Sequence, residues 1–394
     1  VSNDTGIRVL YSFPQRLGAA RVCYTAWRQV IGLAGAGVAV RARPGVLSRP
    51  VPPSVEVKQT LAWKQFRISY KVVGRDRAFA VHDARVAREL GRLRGQIDLV
   101  HGWPVASRRT LEAADRLGIP SVLERPNAHT RFAYEVVERE SRRLGVELPP
   151  GSEHAFDGEV LRIEEREYDL AGHLLCPSAF VAQTFLDEGF DGRRLLRHSY
   201  GFDAERFHPP SDRERNGEGD GLTMLFAGHA AVRKGLHFAL EAWLDSTARH
   251  QGTFLVAGDI LPAYREKLAS GLADPSVREL GHRDDVPELM RRSDLFVLPT
   301  LEEGFPLACV EAVASGCVPL VSSVCTDVCE HMTNALVHPV GDVSTLCDHI
   351  TTLDGDRNLL RDLRAAALQV AGGYTWERAT DRLIAAYRQA LADR

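Results

Sequence analysis

Short apolar runs alternate with stretches of helical periodicity along most of the chain. Residues 7–12, 38–42, 97–101, 119–124 and 174–176 are three- to six-residue runs with little polar alternation, the pattern of strands covered on both faces of a parallel sheet. Helical periodicity fills residues 20–33 and 162–171, and a loop through Pro14 and Gly18 is expected after the first strand. Ser178 reads as the cap of a further helix. The alternation breaks at Tyr200-Gly201-Phe202-Asp203, Pro209-Pro210 and the polar stretch 211–221, which has the composition of a linker. It then restarts, with strands expected at 222–227, 253–257, 277–280, 295–298 and 318–322 and a helix over 235–249. Strand and helix in alternation predict an α/β chain of two doubly wound, Rossmann-like domains, 1–203 and 204–374. Such sheets bind ligands at the carboxyl ends of their strands, so the expected site is the cleft that the two domains face.

The composition narrows the class. With 394 residues, 44% hydrophobic and 26% charged, the chain is neither collagen-like, nor disordered, nor disulfide-stapled. No run of about 18 apolar residues offers a membrane span. Seven scattered cysteines read as reduced thiols filling core gaps, although Cys325 and Cys329 have loose ligand-like spacing. The net charge of −3 conceals a basic first half and an acidic second half. Only five of the 49 basic residues are lysines, which gives Lys234 added weight. Residues 61–71 read as a basic amphipathic helix, with Lys64, Arg67 and Lys71 on one stripe and Trp63, Phe66 and Tyr70 on the next. Such a helix either rests peripherally on an anionic membrane or packs its aromatics on the sheet. No nucleic-acid partner is expected, and the oligomeric state is open.

Two segments carry candidate chemistry. In the first, a buried strand stops at Pro299, a helix begins near Pro306, and Glu303 and Gly304 lie between them. Backbone N–H groups at that helix start suit a phosphate or a sugar hydroxyl. Glu311 follows Glu303 by eight residues, so both carboxylates can project from one side and accept hydrogen bonds from a polyol. A capped helix with a solvated glutamate is the plainer alternative. The second segment is Gly228-His229-Ala230-Ala231-Val232-Arg233-Lys234-Gly235, where a strand ends and a helix begins. Two cations at a helix start oppose its dipole, which makes sense if they meet an anion such as a diphosphate; a solvated basic loop is the alternative. Neither a P-loop nor a GxGxxG turn occurs.

Arg233-Lys234-Gly235 followed by Glu303-Gly304-Phe305-Pro306-Leu307-Ala308-Cys309-Val310-Glu311-Ala312 resembles family 4 (group 1) of the retaining glycosyltransferases, which have the GT-B fold and a glutamate-x7-glutamate motif. Val318-Pro319-Leu320-Val321 after Gly316, Pro339-Val340-Gly341-Asp342, Cys176-Pro177-Ser178 and Tyr200-Gly201-Phe202-Asp203 agree with that resemblance. It implies a nucleotide-sugar-binding second domain, an acceptor-binding first domain, and a C-terminal helix, 375–394, that packs back on the first. Lys234 and Arg233 would hold the donor diphosphate. Glu303 and the backbone of Gly304, Phe305, Pro306 and Leu307 would hold the transferred sugar. Glu311 would take the ribose, with Thr300 nearby, and His282 and Arg283 would lie by the base. Gly18 matches the small residue of the first phosphate loop, although the usual paired glycines are missing there. His229 stands where many members carry arginine, which passes that share of the diphosphate to Arg233. His129 matches a histidine facing the donor sugar at the reaction centre, and Trp103, Asn127 and His129 are assigned to the acceptor.

The reaction so implied is a metal-independent, same-face transfer of a hexose-type sugar from a UDP- or GDP-sugar to the hydroxyl of a glycolipid, polysaccharide or small metabolite. His129, Glu303, Lys234 and Arg233 would serve catalysis, with no other cofactor and no metal. A bacterial enzyme of the cytoplasm is expected, with peripheral contact at the inner face of the membrane through residues 61–71 as the alternative. A sugar-nucleotide 2-epimerase on the same architecture and a catalytically silent nucleotide-sugar-binding module are the alternatives.

Overall fold

In the computed structural model the apolar runs of the first half become the strands β1 (Arg8–Leu17), β2 (Ala39–Leu47), β3 (Glu56–Val57), β6 (Leu99–Gly102), β7 (Ser121–Glu124), β8 (His173–Cys176) and β9 (Leu195–Arg197). The intervening β4 (Ala62–Trp63) and β5 (Phe66–Arg67) form a separate antiparallel pair. The structure describes residues 5–63, 66–67, 70–152, 154–210 and 221–393. These fold into two units: Val1–Pro126 with Asp157–Tyr200 and Trp376–Arg394, and Asn127–Phe156 with Gly201–Thr375. Each is a parallel sheet with helices between its strands, so the architecture is α/β with two Rossmann-like units.

In the first unit the strand order is β3-β2-β1-β6-β7-β8-β9, and it reverses between β1 and β6. All of β6, β7 and β8 is buried, which accounts for their lack of alternation. The helices Val22–Gly35 and Trp376–Ala392 cover the same core, where Ala26, Val30 and Leu33 meet Leu383, Ile384 and Tyr387 around Val9, Tyr11 and Leu99. Two expectations are corrected here. The chain through Pro14, expected as a loop, continues β1 to Leu17 with a register shift between Phe13 and Arg16, an irregularity that accommodates a proline. Of residues 61–71, expected to be helical, Ala62–Trp63 and Phe66–Arg67 pair as β4 and β5, with Trp63 opposite Phe66, and a helix begins only at Tyr70; aromatic residues favour extended backbone. Lys64 and the side chains of Trp63, Phe66, Arg67 and Lys71 lie outside the described residues, as does most of the expected linker.

A polar network is buried in this unit around Glu124. Its carboxylate lies 2.8 Å from His198 Nε2 and 3.4 Å from His101 Nε2, and accepts from Tyr200 Oη at 2.9 Å and Gln29 Nε2 at 3.0 Å. Burial opposes its ionisation, yet His198 and His101 prevail and hold the carboxyl well below its ordinary range. On the other side of His101, Nδ1 is 2.6 Å from Tyr387 Oη, which ties the C-terminal helix into the network.

The second unit holds β10 (Thr223–Ala227), β11 (Thr253–Ala257), β12 (Val277–Gly281), β13 (Leu295–Leu298), β14 (Val318–Ser322) and β15 (Leu336–His338), in the order β12-β11-β10-β13-β14-β15. Its order reverses between β10 and β13, where a doubly wound sheet places its ligand. The segment Asn127–Phe156 belongs to this unit, so the first unit is not the continuous 1–203 expected, although the chain crosses between units at Tyr200/Gly201. Its helix Thr130–Leu144 and the following turn set Val136, Leu144, Val146 and Leu148 on the core around Phe238, Leu240 and Tyr264. Glu140 on that helix lies 2.7 Å from His237 Nε2, whose Nδ1 is 2.5 Å from Tyr264 Oη. Burial pulls His237 down to about 4 against the attraction of Glu140, so the ring is neutral at ordinary pH.

Candidate functional site

At the reversal point the chain leaves β10 through Gly228 and the half-buried His229, makes one 3₁₀ turn over Val232–Lys234, and enters the helix Leu236–Asp245 at Gly235. It leaves β13 through Pro299 and enters the helix Leu307–Ala314 after Pro306. The two loops are joined backbone to backbone. Leu301 N–H donates to the Arg233 carbonyl at 2.7 Å, and the Thr300 hydroxyl reaches that carbonyl at 2.9 Å and the Glu302 carbonyl at 2.7 Å. From the end of β14, Ser322 Oγ donates to the Thr300 carbonyl at 2.6 Å. Gly235, at φ 68°, is the residue that permits this approach: a Cβ there would stand 2.0 Å from the Pro299 carbonyl oxygen.

This joint aligns a basic doublet with an acidic one. Arg233 Nη1 lies 3.0 Å from Glu302 Oε1 and 4.0 Å from Glu303 Oε2, while Lys234 Nζ pairs directly with Glu303 Oε2. His154 Nε2, from the segment Asn127–Phe156, stands 3.4 Å from Glu302 Oε1. Glu302 is fully buried, and Arg233 and Glu303 are each 8% exposed. In such surroundings a charge survives only beside its counter-charge, so each residue of the four depends on its partner. Neither Glu302 nor His154 is singled out by sequence reasoning. The signal for Glu302 was present, since an acidic doublet and a basic doublet both stand at strand ends; His154 left none.

The other predicted residues distribute unevenly. Glu311 lies half-buried on the helix Leu307–Ala314; burial pushes its carboxyl up to about 7, with Arg206 opposing the shift and Asp203 adding to it. Gly304, Phe305 and Pro306 are buried, and Leu307 N–H already donates to the Phe305 carbonyl at 2.8 Å. Thr300, expected beside a ribose, is fully buried with its hydroxyl committed to two carbonyls, and so acts as a brace between the loops. His282 and Arg283 follow β12 at the surface, where Arg283 Nε donates to Asp285 at 2.8 Å and His282 Nδ1 is 4.0 Å from Asp259. His129 is the N-terminal flanking residue of the helix Thr130–Leu144, only 2% exposed, and Asn127 is half-buried just before it. Both belong to the second unit and not, as expected, to the first.

Two predicted residues sit in the first unit. Trp103, expected to meet an acceptor, is 3% exposed and donates from Nε1 to Tyr11 Oη at 2.9 Å, because it completes the core beside β1. Gly18, at φ 88°, has no room for a Cβ beside Arg49, whose Nε donates to the Gly18 carbonyl at 2.7 Å. Its lack of a side chain thus has a local cause. Among the described residues, no group of three or more His, Cys, Asp or Glu could hold a metal ion, and no helix is long and apolar enough to cross a membrane.

Residues 221–356, about a third of the chain, match the family Glycosyl transferases group 1. Over 395 aligned residues the chain is 27% identical to the D-inositol 3-phosphate glycosyltransferase of Geodermatophilus obscurus, an alignment covering 92% of this chain and 83% of that one. The fold is that of GT-B glycosyltransferases. The sucrose-phosphate synthase of Thermosynechococcus elongatus superposes with a TM-score of 0.72 at 16% identity, covering 98% of this chain and 99% of that one. Anabaena Alr3699/HepE, in complex with UDP-glucose, superposes with a TM-score of 0.68 at 15% identity, covering 97% and 99%.

Proposed function

We propose that this GT-B chain, whose second unit carries a group 1 glycosyltransferase domain, is a retaining glycosyltransferase that moves a hexose-type sugar from a nucleoside-diphosphate sugar to an acceptor hydroxyl. The observation that carries the reading is the Lys234–Glu303 pair at the β10/β13 reversal, inside the matched stretch. A nucleotide sugar presents to that pair the two things its members lack in water-poor surroundings: a diphosphate for the lysine and hydroxyl donors for the carboxylate. On binding, Lys234 exchanges Glu303 for the diphosphate, and Glu303 turns to the sugar hydroxyls. The pair is therefore a placeholder for the donor, already assembled at little further cost in order. Arg233, tied to Glu302, keeps a second positive charge beside the first. UDP is the preferred nucleotide, in keeping with the UDP-glucose complex of Alr3699/HepE.

The bond from the anomeric carbon to the diphosphate oxygen breaks while the acceptor oxygen bonds the same face of that carbon. The acceptor proton passes to a phosphate oxygen. The charge that develops on the leaving diphosphate is stabilised by Lys234 and Arg233, which removes the need for a metal. Glu303 and Glu311 bind hydroxyls and take no proton. Incubation with UDP-glucose, UDP-galactose, UDP-N-acetylglucosamine and GDP-mannose, with and without EDTA, tests this reading. Release of the nucleoside diphosphate that depends on Lys234 and survives EDTA is expected, and, with a hydroxyl acceptor supplied, the glycoside formed keeps the donor's anomeric configuration. An epimerised nucleotide sugar without release would instead establish the epimerase, and neither product the silent module.

A further inference from the structure

Two turns in succession bring His154 onto the second unit. Ser152 N–H donates to the Pro149 carbonyl at 3.0 Å, and Ala155 N–H donates to the Ser152 carbonyl at 3.1 Å. His154 stands third in that second turn with a φ of 61°, a left-handed backbone that glycine or asparagine ordinarily supplies there. A residue with a Cβ adopts it at a cost, and such costs gather where a side chain has a task. Nε2 of the ring is 3.4 Å from Oε1 of Glu302, the same oxygen that Arg233 Nη1 reaches at 3.0 Å. The side chain is 8% exposed, and Nδ1 is buried without a hydrogen-bond partner among the described residues. All three residues belong to the second unit.

The charge of this group is balanced except for the ring. Arg233 and Lys234 bring two positive charges, and Glu302 and Glu303 bring two negative ones. A neutral imidazole leaves that balance as it is, whereas an imidazolium leaves the group positive. Nδ1 can take the proton without giving up a hydrogen bond, and histidine is the side chain whose charge ordinarily changes near neutral pH. Other charged groups nearby are paired elsewhere or lie at the surface. On the helix Thr130–Leu144, which packs on the turn Val232–Lys234, Glu138 and Glu140 are taken by Arg142 and Arg143, while Arg131, Glu135 and Arg139 are exposed. On the ring's own segment Glu147 is exposed, and Asp157 caps the helix Gly158–Leu170 through the N–H groups of Glu159 and Val160.

We propose that His154 is a positioning residue for the donor's diphosphate, acting through Glu302, and that binding of the diphosphate is coupled to uptake of a proton by its ring. An imidazolium draws on the Glu302 charge that otherwise holds Arg233, so the guanidinium is freer to face the diphosphate oxygens. The coupling is mutual: the anion strengthens the ring's hold on its proton, and the proton raises the affinity for the anion. The neutral ring still donates from Nε2 and keeps Glu302 in place. This rests on the donor reading above and adds to it a residue outside the matched stretch 221–356.

Calorimetry of UDP binding to the full chain, in two buffers of unlike ionisation heat, reads the proton directly. At about pH 7.5 the parent takes up more proton per UDP than His154→Gln, whose amide keeps a donor near Glu302 but does not titrate. The ratio of parent to variant affinity grows by about 3-fold or more as pH falls from about 8 to about 6. The terminal phosphate of UDP and Glu311 titrate in the same range, but alike in both proteins, so the difference belongs to the ring. His154→Gly, which suits the left-handed backbone, is the second variant and loses the same uptake. A merely structural histidine would move the thermal midpoint and leave the uptake as it was. Uptake in either variant equal to that of the parent, or an affinity ratio that does not change with pH, overturns the proposal and leaves the donor reading standing. A parent that binds neither UDP nor GDP refutes the donor reading, and the proposal with it.

Discussion

Gly235 and the Pro299 carbonyl approach so closely that a single added carbon would stand 2.0 Å from the oxygen. The loops after β10 and β13 therefore meet without an intervening side chain, and Arg233 and Lys234 are held against Glu302 and Glu303 by this contact. Gly235→Ala would force the loops apart and strain a left-handed backbone, at a cost of about 1–3 kcal/mol. Urea denaturation should show that loss together with weaker UDP binding; a variant as stable as the parent would mean that the joint yields easily.

Lys234 and Glu303 should separate by ligand. Lys234→Ala removes the charged partner of the diphosphate and should weaken UDP and UDP-sugar alike by about 10-fold or more. Glu303→Gln removes the negative charge and leaves one acceptor oxygen in place of two for sugar hydroxyls, and it frees the lysine, so UDP binding is kept or improved while the UDP-sugar weakens. Calorimetry with both ligands on both variants reads the difference, and equal losses of UDP in the two variants would contradict the exchange of partners.

Glu302 is a matter of stability more than of binding. Glu302→Ala removes the carboxylate 3.0 Å from the buried Arg233 guanidinium and leaves Glu303 at 4.0 Å, a change whose cost approaches the about 3–5 kcal/mol of a broken buried ion pair. The thermal midpoint should drop by several degrees, and by less in Glu302→Gln, which keeps a hydrogen-bond acceptor. No drop in either variant would show that this ion pair has little weight.

Glu311 predicts a pH dependence. Its folded carboxyl titrates near about 7, well above the ordinary value of about 4.3 for a glutamate. The unfolded chain gives up that proton first, so this residue lowers folding stability as pH rises between those two values. Hydroxyl donors need the ionised form, hence donor affinity should increase as pH passes through about 7. The increase should flatten in Glu311→Gln, and a parent profile without a slope there would remove Glu311 from the ribose site.

Much of this was legible in the sequence. The strands β10, β13 and β14 stand where their apolar runs predict, because a parallel sheet buried on both faces leaves nearly uninterrupted runs; the edge strand β12, Val277-Arg278-Glu279-Leu280-Gly281, is largely uncovered and was placed without such a run. The basic loop and the Glu303 loop were found by chemistry alone. Other features leave no local mark. The helix Thr130–Leu144 is amphipathic, but nothing in its periodicity says which sheet its apolar face will cover, and it covers the one farther along the chain. Trp103, assigned to the acceptor by the resemblance, is buried instead with its N–H taken by the neighbouring Tyr11 hydroxyl. The aromatic-basic stretch at 61–71 satisfies a helical stripe by count, yet Ala62–Trp63 and Phe66–Arg67 pair as short strands.

The C-terminal helix carries Tyr387 into the polar network of the first unit, where its hydroxyl meets His101. During synthesis on the ribosome, the sheet begun by β1 must therefore wait for residues 376–392 before its interior closes. Until then His101 and the apolar residues around it lie open to chaperones and proteases. A nascent chain stalled before residue 376 would carry an unfinished first unit, however much of its sheet had already emerged.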